Sequence, residues 1–381
     1  MVSMLDDLRL HRGLIGQPDS SLRLNTPVLV LERAVFERNL QRMADFARSC
    51  GVQLRPHAKT HKSAHIAQRQ IAAGAIGVCC AKLGEAEALA EQGINSILLT
   101  SPVVTAPGMA RLAALNERID ELLVVIDHPD NLLALDAAMD RALKVLIDVD
   151  PGIHRTGVTS AQAALDLVAG LRNSQRLVYS GLQMYCGMQQ HVAAFQERQA
   201  QITERTAYLR SVIDLLVQHG AAPLIVTGSG TGSHRIDAAL AVFTEWQVGS
   251  YLFMDRQYAE CELTDAGPAP FDYSLFVEAS VVSVNTPGMA TIDAGFKALA
   301  TDGGAPVVVS GAPAATEYFF MGDEHGAIVD PARSHVWSLG DRVRLAVPHC
   351  DPTVNLYDAL HVVHQGALED IWPVTARGRS R

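Results

Sequence analysis

From about residue 26 to residue 260, short runs of β-branched and apolar residues alternate with longer Ala-, Leu-, Glu- and Arg-rich stretches of helical period. That alternation predicts repeated βα units around a parallel sheet. The strand candidates are 28–31, 53–56, 77–81, 96–99, 122–126, 144–149, 177–184 and 224–227, with 247–253 available for closure. The stretches between them, such as 34–50 and 84–92, run into Gly51 and Gly93, which suit the left-handed residue that ends a helix. Eight such strands are enough for a (β/α)8 TIM barrel, and a doubly wound open sheet fits the same alternation. After the turn-rich Asp265-Ala266-Gly267-Pro268-Ala269-Pro270 the pattern changes. Short strands at 275–284, 289–293, 305–309, 318–321 and 342–346 follow with no long helix between them, which predicts a smaller antiparallel β domain. The expected division is a barrel over 26–264 and a β domain over 265–381, joined by residues 1–25. No repeat, low-complexity tract or flexible linker separates the two, so they are expected to pack tightly.

Composition narrows the class of function. The 381 residues are 48% hydrophobic and 19% charged, ample for a large buried core. A formal net charge of −10 argues against a polyanionic partner, because nucleic-acid affinity rests on Lys and Arg, so no nucleic acid is expected. The opening Met1-Val2-Ser3-Met4-Leu5-Asp6-Asp7-Leu8-Arg9 has charges where a secretory signal needs an apolar core, and no later run reaches membrane-spanning length. A soluble, cytoplasmic protein with no membrane partner is expected. The six cysteines form no CxxC pair and read as reduced, mostly buried residues.

Three clusters carry candidate chemistry. In Arg55-Pro56-His57-Ala58-Lys59-Thr60-His61-Lys62, Lys59 stands just past a strand end among cationic and imidazole neighbours. Such a setting, with partial burial, disfavours the ammonium and suits a lysine that forms a Schiff base; a solvated basic turn is the other reading. The segment Thr227, Gly228, Ser229, Gly230, Thr231, Gly232, Ser233 follows a late strand, where glycine-permitted N–H groups and hydroxyls can cradle a phosphate. In His349-Cys350-Asp351, residues i and i+2 of a strand would point together at one ion with Cys350 facing away, although a surface pair would read the same.

These blocks, with Thr26-Pro27-Val28-Leu29-Val30-Leu31, Gly77-Val78-Cys79-Cys80-Ala81-Lys82 and Pro352-Thr353-Val354-Asn355, resemble the D-threonine aldolases. Those are fold type III pyridoxal-phosphate enzymes, related to alanine racemase and D-serine dehydratase. The resemblance spans 26–355 and favours the barrel over the open sheet. It implies that Lys59 holds pyridoxal 5'-phosphate, that Gly249, Ser250 and Tyr251 form a second phosphate contact, and that Arg155 meets the ring's phenolic oxygen. An Arg155 paired with Asp150 is the alternative. Tyr185 would pack on or bond to the ring, or be a core tyrosine. The family position of His191 makes it the expected base, with His57, His61, His154 and His234 as competitors. D-serine dehydratases carry His-x-Cys where this chain has His349 and Asp351, as the aldolases do, so a divalent ion is implied, with Mn²⁺ favoured and Mg²⁺ or Zn²⁺ open.

The implied activity is metal-activated cleavage of a small D-3-hydroxy amino acid, such as D-threonine, to glycine and an aldehyde by a carbon–carbon lyase acting as a homodimer. The runner-up is a D-3-hydroxy amino acid dehydratase. A non-catalytic pyridoxal-phosphate carrier is disfavoured by the C-terminal domain, and a racemase would need no metal.

Overall fold

The computed structural model describes residues 7–381; the first six residues of the expected joining segment lie outside them. Eight parallel strands form a TIM-like ring: β2 (Gln53–Leu54), β3 (Val78–Cys80), β4 (Ser96–Leu99), β5 (Glu121–Ile126), β6 (Leu143–Asp148), β7 (Leu177–Met184), β8 (Ile225–Gly228) and β9 (Glu245–Trp246). Strands β3 to β9 pair in succession and β9 pairs with β2. The parallel bridge between His57 and Cys79, with Cys79 N donating to Pro56 O at 2.8 Å, brings β2 back to β3. Residues Leu122 to Ile126 are all buried because a barrel strand is covered inside by side chains and outside by helices. The helix Arg33–Ser49 shows the complementary pattern, burying Phe36, Met43, Ala44 and Ala47. Gly51 follows at φ 70°, the left-handed stop.

The second sheet gathers β1 (Val28–Glu32), β10 (Leu275–Thr286), β11 (Met289–Ile292), β12 (Val307–Ser310), β13 (Glu317–Phe320), β14 (Gly326–Val329), β15 (Arg342–Ala346), β16 (Ala359–His364) and β17 (Ala367–Pro373). Its pairings are antiparallel except for β1 with β16. Two strand expectations are corrected here. The apolar run at 28–31 is not a barrel strand; it pairs with β10 and β16 in the second sheet, so the chain enters the barrel only at β2. Closure comes from Glu245–Trp246, and the expected strand 247–253 is a loop with the 3-10 turn Ser250–Leu252. A strand buried on both faces looks alike in either sheet, so periodicity could not assign 28–31. Strands β14, β16 and β17 had no counterpart in the sequence expectations. Residues 7–25 run along β17, with Gly16 N donating to Leu368 O at 2.8 Å and Ser21 N to Gly366 O at 3.1 Å.

At the N-terminal end of the barrel, buried Arg55 donates to Glu245 at 3.0 Å, Glu121 at 3.3 Å and Ser96 at 2.7 Å. This network fills the lower end, and the site cavity lies at the opposite, C-terminal end of the strands.

Candidate active site

Lys59 lies in the one-turn 3-10 helix Ala58–Thr60 just beyond β2. The His57 ring fixes this turn: its Nδ1 accepts from Lys59 N at 3.4 Å, which leaves Nε2–H to donate to Thr100 Oγ1 at 3.1 Å. Burial, then the nearby Lys59, lowers the His57 pKa to about 3. Burial likewise holds His61 near 4, locked between Ser63 N and Gln70. Both imidazoles are therefore neutral, and the expectation of a lysine deprotonated by cationic neighbours is corrected. Lys59 Nζ instead pairs with Asp351 Oδ2. Burial pulls the Lys59 pKa down, but the carboxylate outweighs it and the net shift is upward. The deciding charge arrives from 292 residues away, beyond the reach of any local motif.

A cavity of about 500 Å³ opens at this end of the barrel. It brings together seven of the residues singled out from the sequence, His57, Lys59, Arg155, Tyr185, His191, Ser250 and His349, and adds Thr100, Gln183, Gln247 and Tyr258, which carried no sequence signal. A smaller adjoining cavity is lined by Lys59, Thr60, Gly230, Thr231, Gly249 and Ser250, among others. Side chains are excluded from its rim: a Cβ on Gly249 would lie 2.6 Å from Thr60 Oγ1, and one on Gly230 would lie 2.4 Å from Gln190 Oε1. Buried Thr60 Oγ1 lies beside Asp351 and makes no hydrogen bond of ordinary geometry among the described residues. A glycine-walled recess with an unsatisfied hydroxyl beside a lysine fits a phosphate-bearing aldehyde such as pyridoxal phosphate.

Other residues of the two glycine segments build the wall rather than the lining. Thr227 Oγ1 accepts from Gln247 Nε2 at 3.1 Å, Gly228 packs against Met184 O, and Ser229 turns the chain at φ 70°. Tyr251 donates its backbone N–H to Thr231 Oγ1 at 2.9 Å, while its hydroxyl meets Gln70 at 3.3 Å.

Arg155 is not paired with Asp150, which binds the backbone N–H groups of Gly152, Ile153 and His154 and the His154 ring. The Arg155 guanidinium instead lies 5.8 Å from the centroid of the Tyr185 ring. His191 ends the short helix Met188–His191, and its ring is 4.4 Å from that of Tyr258. Desolvation, then the charges of His349 and Lys59, lowers its pKa to about 4. Of its competitors, only His57 lines the cavity; His234 bonds to Thr231 O at 2.7 Å within the protein.

His349 and Asp351 are not on a strand, which corrects the geometric argument for them. His349 is the extended residue before the helix Cys350–Val354, and that helix's first turn carries Asp351. His349 still lines the cavity and Asp351 meets it through Lys59, while Cys350 is fully buried with its N–H on Asp255 at 2.9 Å. His349 Nδ1 is held by Asp302 at 2.7 Å, which leaves Nε2 as a free donor atom. The Asp351 carboxyl, which burial would raise, is held well below its ordinary range by Lys59. Among the described residues no group of three or more His, Cys, Asp or Glu side chains is placed to hold an ion. The His349 imidazole at the cavity wall and the Asp351 carboxylate behind it, against Lys59, are nonetheless a donor pair that suits a divalent cation whose other positions are filled by water or substrate.

Comparison with known proteins agrees with this arrangement. A family model described as the alanine racemase N-terminal domain matches residues 32–257, and a serine dehydratase domain matches 274–363. The chain is 41% identical over 372 residues to a D-threonine aldolase of Arthrobacter, covering 96% of each protein. It is 35% identical to a 3-hydroxy-D-aspartate aldolase of Paracoccus denitrificans, covering 96% of this chain and 95% of that one. The crystal structure of the D-threonine aldolase of Filomicrobium marinum superposes with a TM-score of 0.90 at 38% identity, over 94% of this chain and 97% of that one. No helix among the described residues is long and apolar enough to cross a membrane.

Proposed function

The chain belongs to the alanine racemase-like, fold type III family of pyridoxal-phosphate enzymes, and on that premise we propose that it is a carbon–carbon lyase cleaving D-3-hydroxy amino acids to glycine and an aldehyde. The observation that carries this reading is the convergence of Lys59, His191 and His349 on one cavity, with Asp351 against Lys59.

Lys59 would hold the cofactor through Nζ, and Thr231, Gly249, Ser250 and the Thr60 hydroxyl would receive its phosphate. Arg155, over the Tyr185 ring, would serve the phenolic oxygen. When bound, pyridoxal phosphate supplies the electron sink for breaking the Cα–Cβ bond. His349 and Asp351 would hold a divalent ion, Mn²⁺ before Mg²⁺ or Zn²⁺, which would supply Lewis acidity toward the substrate hydroxyl. His191 takes the proton of that hydroxyl: its low pKa keeps the ring neutral at pH 7, and Tyr258 fixes its plane. We place the enzyme in the cytoplasm as a homodimer, the second point being open to sedimentation.

The test is the product set from D-threonine with and without added Mn²⁺. Acetaldehyde and glycine in equal amounts, abolished by chelation, are expected. Predominant 2-oxobutanoate and ammonia would make the protein a dehydratase.

A further inference from the structure

The second lysine of the segment Arg55 to Lys62 has no part in the chemistry above, yet it is more deeply buried than the first: the Lys62 side chain is 8% exposed and that of Lys59 38%. Lys62 adopts φ 49°, a left-handed conformation that a residue with a Cβ keeps only when its surroundings determine it. Three elements do so. Its Nζ pairs with Glu85 at 3.2 Å and donates to Asn355 Oδ1 at 3.0 Å and Ser380 Oγ at 3.4 Å. Its carbonyl accepts from Ala376 N at 2.8 Å. Glu85 in turn receives Ala81 N at 2.9 Å, and Asn355 receives Gly378 N at 3.2 Å.

Asn355 is the C-terminal cap of the helix Cys350–Val354, and Asp351 lies in that helix's first turn. Two lysines three residues apart therefore grip the two ends of one five-residue helix, Lys59 through Asp351 and Lys62 through Asn355. The grip of Lys59 is lost whenever its amine is engaged elsewhere, whereas that of Lys62 is not. We propose that Lys62 is a positioning residue for the divalent-ion site, fixing this helix against the Lys59 turn so that the Asp351 carboxylate keeps its place when Lys59 releases it. The inference rests on the reading of His349 and Asp351 as ion ligands.

The test is titration of the pyridoxal-phosphate-loaded protein with Mn²⁺, followed by the electron paramagnetic resonance of the free ion. Cofactor affinity and melting temperature are measured alongside. Replacing Lys62 alone strands the buried Glu85 charge and risks misfolding, so the variant is Lys62→Met with Glu85→Gln; Asn355→Leu probes the other end of the contact. Both should weaken Mn²⁺ binding by roughly 10- to 100-fold, as loss of a support behind an ion ligand does, with cofactor affinity nearly unchanged. Unchanged Mn²⁺ affinity overturns the proposal, as does a parallel fall in cofactor affinity and melting temperature, which would make Lys62 a general support of the fold. A wild-type protein that retains no divalent ion removes the ion-ligand reading first, and this inference with it.

Discussion

The amine of Lys59 faces an acid, and the ammonium is the stable form until a cofactor arrives. Two consequences belong to single residues. Lys59→Ala should abolish the visible absorbance of the loaded protein and its labelling by borohydride, since the smaller cavity has no other lysine in its wall. Labelling of Lys62 or Lys82 in the wild type would contradict the placement. His191→Ala should slow cleavage of D-threonine by roughly 10²- to 10⁴-fold without releasing the cofactor, because the imidazole is used only for proton transfer. A variant as fast as the wild type would move the role to His57, the competing histidine that also lines the cavity.

Among elements, the informative ones are the turns just past the strand ends. Gly249 stands between the turn carrying Thr60 and the 3-10 turn Ser250–Leu252, at φ −127° and ψ −66°. Its absent side chain matters first for volume. Gly249→Ala would put a methyl group 2.6 Å from Thr60 Oγ1 and 3.2 Å from His57 O, inside the recess assigned to the phosphate. Weaker cofactor binding with little change in melting temperature is expected, read by fluorescence titration with pyridoxal phosphate. Equal affinity in the variant would show that the recess does not receive the phosphate. Gly181 differs: at φ 149° its Cβ would overlap Ile225 O, so Gly181→Ala should disrupt the pairing of β7 with β8 and cost the fold about 3 kcal/mol or more. An unchanged urea midpoint would count against that reading.

For the molecule as a whole, the buried histidines set the response to acid. Burial is the first cause of the lowered pKa of His57, about 3, and of His61, His234 and His361, each about 4. A histidine whose folded pKa lies below its unfolded value near 6.5 favours the unfolded chain as pH falls, because that chain takes the proton first. The loss begins near pH 6.5 and is complete near pH 4 for the three groups at about 4, roughly 3 kcal/mol each, and runs on to about pH 3 for His57. Asp148 and Asp237, raised by burial to about 6, act in the opposite sense and regain stability as pH falls from about 6. Five histidines, His191 included, outweigh three carboxyls, Asp255 being raised by burial as well, so the urea midpoint should fall between pH 6.5 and pH 4.5. A flat or rising midpoint would mean that these imidazoles are not held neutral.

The sequence by itself determined what depends on neighbours along the chain. Alternating apolar runs and helical stretches specified βα units, Lys59 at a strand end specified the lysine's face, and the glycine segment after β8 specified a place without side chains. Gly230 and Thr231 line the recess, whereas Thr227, Gly228 and Ser229 support it from behind, because consecutive residues of a turn cannot all point inward. Only the tertiary structure decided the rest. The run at 28–31 joined the second sheet because a strand buried on both faces carries no mark of which partner covers it. The protonation of Lys59 was set by Asp351, the freedom of Arg155 by the turn that Asp150 closes, and the place of Asp351 by a helix where a strand was expected. Each is an interaction between side chains whose separation in space bears no relation to their separation in sequence. Charge and burial act through space, and no spacing rule along the chain can read them.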